Sequence, residues 1–156
     1  VLMTMIGGNV EYCAVGFESL CPSASPPDVG AGSASATASA SLSDSPASNA
    51  IDGNLETIWN SGAGPEQWIQ IDLGEPATVS AIRLHVAQTP EGETVHQIWL
   101  GADANNLTLI HEFRGLTNDS SILEFTLPSP ITNVQFIKIV TIQSPSWVAW
   151  REIEIK

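Results

Sequence analysis

Segments in which apolar and polar residues alternate follow one another from residue 68 to the end of the chain. In one of them Ile82, Leu84 and Val86 alternate with Arg83 and His85, so the two sets would lie on opposite faces of a β-strand. No segment has sustained helical periodicity. Turn-forming residues separate seven strand-like segments, at 68–73, 79–87, 94–100, 107–113, 121–127, 134–142 and 147–155. This number and spacing of strands predicts an all-β fold, an antiparallel two-sheet β-sandwich.

The size and charge of the chain limit its class. Its 156 residues, 43% of them apolar, suffice for one domain with a core and a modest appendage. The 17 acidic against 5 basic residues give a formal charge of −12, which would repel nucleic acid and anionic lipid surfaces. No apolar run reaches the ~18 residues that a membrane-spanning helix requires. We therefore expect neither a nucleic-acid partner nor a membrane span.

The N-terminal residues differ in composition from the rest. Residues 1–22 contain two strand-like runs, Val1–Ile6 and Val10–Val15, joined by a Gly-Gly-Asn turn, which predicts a short β-hairpin. Residues 23–33 are mainly Pro, Ser, Gly and Ala, which is the composition of a linker. We therefore place the sandwich domain at residues 34–156. The alternative, that the hairpin is part of this domain, stays open.

Few features of the sequence bear on cellular location. The chain starts within a strand-like run at Val1, so we expect a piece of a larger multidomain protein, with any export signal upstream. Sequons at Asn106 and Asn118 give limited support for a secreted or cell-surface location, since such tripeptides also arise by chance. Cys13 and Cys21, the only cysteines, could form a disulfide in an oxidising compartment or remain as buried free thiols.

The stretch N-A-I-D-G-N-L-E-T-I-W at residues 49–59 has the chemistry of a cation-binding loop. Asp52 and Thr57 supply oxygen atoms five residues apart, and Gly53 between them lets the backbone fold back. Neighbouring main-chain carbonyls can add oxygens at the same point, which is the ligand type that calcium prefers. The alternative is a simple Asp-Gly turn without an ion.

This loop, the following strand E-Q-W-I-Q-I-D-L-G at 66–74 and the closing W-V-A-W-R-E-I-E-I at 147–155 together resemble the discoidin family. The family includes the coagulation-factor C-type domains and many bacterial carbohydrate-binding modules, and has a jelly-roll, galactose-binding-like fold. The resemblance covers roughly residues 36–156. It implies a structural calcium ion that joins the start of the domain to its end. The implied ligands are the side chains of Asp52, Thr57 and Glu152 and the carbonyls of Asn49, Asn54 and Thr57.

A second resemblance covers only the first residues. The phrase V-L-M-T-M-I-G-G-N-V-E-Y is similar to the C-terminal hairpin of an amidohydrolase. It implies that the chain could be the tail of an enzyme, with the sandwich as an accessory domain.

Within the chain itself we expect no catalysis. The histidines His85, His96 and His111 fall in different strand segments, and no serine lies in a nucleophile-elbow motif. Paired carboxylates such as Glu152 and Glu154 have the spacing of one face of a strand, which is commonly a solvated face.

The resemblance places a ligand site on the loops at one end of the sandwich. In the sugar-binding branch a histidine follows the T-x-W motif and an aromatic residue comes shortly after. Here Asn60 replaces the histidine, and residues 61–65 contain no aromatic. The arginine and asparagine expected after the second long strand are replaced at 88–93, so the galactose-type site is not reproduced. The remaining candidates around the tip at 143–147 are Asn60, Gln88, Glu91 and His96.

Trp147 lies at this tip and has two interpretations. Its indole could offer an apolar face on which a sugar ring stacks, or it could cap the core at the start of the last strand. The other tryptophans lie in core-forming segments or alternate with polar neighbours, and we expect them to be packing residues: Trp59, Trp68, Trp99 and Trp150.

Together these features predict a non-catalytic carbohydrate-binding module that targets an attached enzyme or surface protein to glycan or polysaccharide. Two alternatives stay open. One is a protein-interaction or adhesion module without a sugar ligand. The other is a structural accessory domain at the C-terminus of an amidohydrolase-like enzyme.

Overall fold

The computed structural model describes residues 3–6, 9–13 and 34–156, the first two ranges as backbone only. In chain order the elements are β1 (Met3–Ile6), β2 (Asn9–Cys13), β3 (Ser35–Ala38), a 3-10 helix (Ala47–Ile51), β4 (Trp59–Asn60), β5 (Gln67–Val86), β6 (Gly92–Asp103), β7 (Asn106–Thr117), β8 (Ile122–Gln143) and β9 (Ala149–Ile155). Strands β1 and β2 pair antiparallel, as a hairpin requires. The predicted linker at 23–33 and the pairing of Cys13 with Cys21 lie outside the described residues.

Strands β3 to β9 form an antiparallel β-sandwich, which confirms the predicted fold class. Its two sheets share the long strands β5 and β8. Residues 67–72 of β5 pair with residues 136–141 of β8 in a sheet that also contains β3, β6 and β7. Residues 81–85 of β5 pair with residues 122–126 of β8 in a sheet completed by β9 and β4. We call these sheet I and sheet II.

The sequence explains where the shared strands pass from one sheet to the other. The pairing of β5 with β8 is irregular between Asp72 and Ala81. In this interval Gly74 has a φ of +81° and Pro76 lacks an N–H for the ladder. The facing part of β8 contains Pro128 and Pro130. Regular pairing is interrupted on both strands, and each bends across the core. Sequence patterns alone split each of these strands into two.

The core lies between the sheets and is built from alternate strand positions, as the sequence pattern predicted. Trp59 and Trp150 face each other across β4 and β9 and are both fully buried. Each large apolar side chain removed from water contributes ~1.5–3 kcal/mol, so this alternation supplies much of the driving force for folding. The aliphatic core residues include Ile69, Ile71, Ile82, Leu84, Ile98, Leu100, Ile137, Ile139 and Ile153.

The connections at one end of the sandwich create the surface relevant to function. They join β4 to β5, β5 to β6, β7 to β8 and β8 to β9, at residues 61–66, 87–91, 118–121 and 144–148. In the described ranges, no helix has the length and apolar character needed to cross a membrane.

Candidate functional site

A groove of about 730 Å³ lies among these four connections, and we call it the loop-end groove. Side chains from β4, β9 and the connections line it together. The lining residues are Ile58, Asn60, Gly64, Pro65, Ala87, Gln88, Thr89, Asp119, Ser144, Pro145, Ser146, Trp147, Ala149 and Arg151. The groove brings together three of the five predicted ligand residues: Trp147, Asn60 and Gln88.

Trp147 presents an open aromatic surface to the groove. The residue is 55% exposed, whereas the neighbouring Val148 is 3% exposed and packs in the core. The Val148 N–H donates to Ala63 O (3.0 Å), and its carbonyl accepts from the Ser61 N–H (2.9 Å). These bonds fix the backbone beside Trp147 while the indole stays accessible. The exposure does not fit the interpretation that Trp147 caps the core, and it leaves the stacking interpretation.

Asn60 and Gln88 both line the groove but differ in what their amides can do. Asn60 Oδ1 accepts from the Gly62 N–H (2.9 Å), and Asn60 Nδ2 donates no hydrogen bond within the described part of the chain. Gln88 is only 5% exposed. Its Nε2 donates to Thr117 O (2.9 Å) and its Oε1 accepts from Thr117 Oγ1 (2.9 Å). Gln88 therefore fixes the connection after β5 to the end of β7, and Asn60 keeps a free donor.

Glu91 lies outside the groove lining. It is exposed, and its Oε2 accepts from Asn118 Nδ2 at 3.4 Å. The contact joins the connection after β5 to the connection after β7.

The structure places His96 in the core rather than in the groove. It is 3% exposed, its Nδ1 lies 3.0 Å from Thr141 Oγ1, and its ring packs edge-on against Trp150 at 4.8 Å between centroids. Burial lowers the pKa of His96 to about 4, so the ring is neutral near pH 7. The side chain points inward because His96 alternates with outward-facing residues of β6. A site at the loop end therefore does not include it.

An ion pair in the groove was missed by sequence reasoning. Arg151 Nη2 donates to both carboxylate oxygens of Asp119, at 2.9 and 2.8 Å. Arg151 Nη1 also donates to Leu55 O (3.3 Å). Because the pair is partly exposed, it contributes at most ~1 kcal/mol to stability, and its main effect is to hold the guanidinium in place. Period-two spacing from Ala149 signals that Arg151 faces the groove, but nothing in the sequence links it to Asp119.

The predicted calcium loop forms a compact oxygen cluster. Thr57 Oγ1 lies 2.8 and 3.0 Å from the two Asp52 oxygens and 2.7 Å from Asn54 O. One hydroxyl carries one hydrogen, so these oxygens have more lone pairs than protons to share. Gly53 makes the fold-back with a φ of +76°. A cation would compensate such a cluster, and its oxygens are of the type that calcium prefers.

Glu152 reaches this loop from β9. It is 7% exposed, so it does not lie on the solvated face that the spacing of Glu152 and Glu154 indicated. Its Oε2 accepts from the Gly53 N–H (3.1 Å). The pKa of Glu152 is raised to about 7, mainly by burial; the Gly53 and Asn54 N–H groups lower it, and the Asp52 and Glu154 carboxylates raise it. The described residues contain no cluster of three or more Asp, Glu, His or Cys side chains placed to hold a metal. A calcium ion at this position would therefore depend on the Asp52 and Glu152 carboxylates, the Thr57 hydroxyl and main-chain carbonyls.

Asn49 lies next to the cluster, in the 3-10 helix. Its side-chain Nδ2 donates to Ile58 O (3.0 Å), which holds the two ends of the loop together. The resemblance implies a different atom of this residue, its main-chain carbonyl, as a ligand.

Comparison with known proteins gives a consistent result. The F5/8 type C domain model matches residues 34–153. The family 32 carbohydrate-binding module of Clostridium perfringens NanJ, solved with galactose, is similar in fold (24% identity, TM-score 0.72, 82% of this chain and 96% of that chain). So is chitosan-binding module 1 of a chitosanase/glucanase from Paenibacillus sp. IK-5 (25% identity, TM-score 0.67, 82% and 96% covered). A third similar structure is the CBM32 of AlyQ in complex with 4,5-unsaturated mannuronic acid (26% identity, TM-score 0.64, 78% of this chain and 93% of that chain). Comparison with curated proteins gave no match.

Proposed function

The chain belongs to the F5/8 type C domain family, and from this premise we propose that it is a non-catalytic carbohydrate-binding module. Structures similar to it are named for complexes with galactose or mannuronic acid, or as chitosan-binding. One of them derives from a chitosanase/glucanase, which supports a role in targeting an attached enzyme to its polysaccharide. A secreted or cell-surface location within a larger multidomain protein fits the same role.

The observation that carries the proposal is the exposed indole of Trp147 on a groove with a polar rim. One aromatic face stacks against one sugar ring, and the Asn60 amide and the Ser144 and Ser146 hydroxyls supply groups for its hydroxyls. Arg151 and Asp119 neutralise each other, so the groove has little net charge to attract an ion. We infer a neutral pyranose, bound mainly through one ring.

The experiment is a glycan array followed by titration of each hit into wild type and Trp147→Ala. Truncating an aromatic anchor removes ~2 kcal/mol or more, which is about a thirtyfold loss of affinity. Ile131→Ala is the matched control, because Ile131 is also an exposed apolar residue but lies outside the groove. Thermal melts of both variants should stay close to wild type. Unchanged affinity in Trp147→Ala would remove the groove from the proposal, and an array without hits would favour the protein-interaction alternative.

We further propose that the oxygen cluster around Asp52 holds a structural calcium ion. The residues that would hold it are Asp52, Thr57 and Glu152, with the carbonyls of Asn49, Asn54 and Thr57. When bound, calcium would supply positive charge that offsets the Asp52 and Glu152 carboxylates. The residues themselves tie the loop after the 3-10 helix to β9, and so join the start of the domain to its end.

A further inference from the structure

A second groove, of about 430 Å³, lies on the outer face of sheet I, and we call it the sheet-face groove. Gln97 and Trp99 of β6 and Lys138 and Val140 of β8 form its floor, with Glu66 and Asn105 at its edges. These floor residues alternate with the buried His96, Ile98 and Ile139, so they point away from the core. The two grooves share no lining residue.

Two tryptophans flank a lysine on this face. Trp99 is the cross-strand partner of Lys138, and Trp68 on β5 is the partner of Val140. Lys138 Nζ lies 4.3 Å from the centroid of the Trp68 ring. Sequence reasoning took both tryptophans for packing residues, but each is only half-buried, on the side of the sheet that faces away from the core. Indoles at such positions offer surface on which a sugar ring can stack.

Hydrogen bonds hold the Trp99 ring in place before any ligand arrives. Trp99 Nε1 donates to Gln97 Oε1 (3.2 Å), and Gln97 Nε2 donates to Glu112 Oε2 (2.7 Å). Arg114 Nε donates to the other Glu112 oxygen (2.6 Å). An aromatic surface that is already ordered loses less conformational freedom on binding. The same contacts neutralise Glu112 beside the groove.

Lys138 differs from the other basic residues of the chain. The sequence has five, and four of them form ion pairs with carboxylates: Arg83, Arg114, Arg151 and Lys156. Within residues 34–156, Lys138 has no carboxylate partner, and its ammonium donates no hydrogen bond. An ammonium has three N–H donors. In a protein of charge −12, the one basic side chain without a carboxylate partner lies in a groove with an ordered indole.

We propose that the sheet-face groove is a second binding site, for a pyranose that carries an anionic group. The ring stacks on Trp99, the carboxylate or sulfate pairs with Lys138, and the Asn105 amide meets the hydroxyls. Glu66 at the edge can accept from hydroxyls but repels a second anionic group, so the site suits one charged sugar unit. The proposal does not depend on the loop-end groove, whose own ion pair is self-neutralised.

The test uses matched charged and neutral probes with the whole chain. Galacturonic acid, with one charged unit, is compared with its methyl ester, and a galactan oligosaccharide that carries a single sulfate is compared with its desulfated form. Binding is followed by calorimetry and by the indole N–H signals of the five tryptophans in NMR spectra. From the titration of the Trp99 and Trp68 signals, we expect at least one charged probe to bind the sheet-face groove at least tenfold more tightly than its neutral form. Which of them binds identifies the anionic group.

Variants make the result specific. Lys138→Gln should weaken binding of the charged probe about tenfold or more, since a hydrogen bond between charged groups is lost, and Lys138→Arg should retain most of it. Trp147→Ala removes the aromatic anchor of the loop-end groove and should leave the titration of the Trp99 and Trp68 signals unchanged, which separates the two grooves. The proposal is overturned if neither charged probe shifts the Trp99 and Trp68 signals, if the neutral forms shift these signals at equal concentrations, if Lys138→Gln has no effect on this titration, or if Trp147→Ala abolishes it.

Discussion

The substitution Glu152→Gln should raise the free energy of unfolding in chelator at pH 7.5, and this gain should vanish or change sign when calcium is added. The buried carboxylate has a pKa of about 7 against an ordinary value of 4.5. Because the folded pKa is raised, the folded state binds more protons than the unfolded state between these values, and stability falls as pH rises through this window. At 1.36 kcal/mol per pKa unit, the upper limit is about 3 kcal/mol at pH 7.5. Gln keeps an acceptor for the Gly53 N–H but carries no charge.

In chelator, wild type and Glu152→Gln should therefore have similar free energies of unfolding near pH 4.5. At pH 7.5 the variant should be more stable, by up to the ~3 kcal/mol derived from the pKa. Calcium at a hundredfold excess over its Kd should add roughly 2.7 kcal/mol to wild type and much less to the variant. The difference between the two proteins should then vanish or change sign.

The assay is urea unfolding at pH 4.5 to 7.5, in chelator and in calcium. His96 has a lowered pKa, so its titration makes stability rise with pH between about 4 and 6.5, opposite to the effect of Glu152. Since His96 is present in both proteins, its contribution cancels when the difference between wild type and variant is compared. Glu56→Gln is the control, since Glu56 is an exposed carboxylate in the same loop and should show no such change. A pH-independent difference between wild type and Glu152→Gln in chelator would refute the reasoning about burial. A difference that calcium leaves untouched would refute the ion.

Three further outcomes are expected. Chelator should lower the melting temperature of wild type, and Asp52→Ala should abolish this response. A wild-type melting temperature that changes with neither chelator nor calcium would refute the calcium site. Removal of residues 1–32 should leave a soluble domain that melts cooperatively, and failure to do so would make the hairpin part of the sandwich. Asp119→Ala should weaken glycan binding at the loop-end groove, because Arg151 loses the carboxylate that holds it. The free energy of unfolding should fall by no more than ~1 kcal/mol, and titration and melting in parallel measure the two effects.

Sequence reasoning predicted the features that depend on local pattern. Period-two alternation gave the strand positions and, for residues 82–86, the inward face, because the buried residues of a half-buried strand must keep that period. The loop after the 3-10 helix was recognisable because its oxygens lie within a few residues of each other in the sequence. Its contact with Glu152 followed only from the family resemblance, since 99 residues separate the Gly53 N–H from the carboxylate it reaches.

Some of the missed features depend on the face of a strand and others on distant contacts. His96 was placed among the ligand residues, but alternation on β6 turns it inward, together with the apolar Ile98 two positions on. Gln88 faces the groove, but its amide is committed to Thr117, 29 residues away. The partnership of Arg151 with Asp119 has no local signal. Alternation also could not assign an outward face to Trp68 and Trp99, because aromatic residues in a strand fit either side.

The last strand links the proposed calcium site to the loop-end groove. Arg151 and Glu152 are adjacent on β9, so their side chains leave the strand on opposite sides. Glu152 accepts from the Gly53 N–H, whereas Arg151 donates to Leu55 O and to the Asp119 carboxylate in the groove. Both residues therefore contact the same loop, 52–57, from one rigid strand. An ion that orders this loop also fixes one of the three hydrogen bonds that hold Arg151. With the proposed ion bound, the loop at 52–57 stabilises the groove as well as the ends of the domain, although it contributes no residue of its own to the groove.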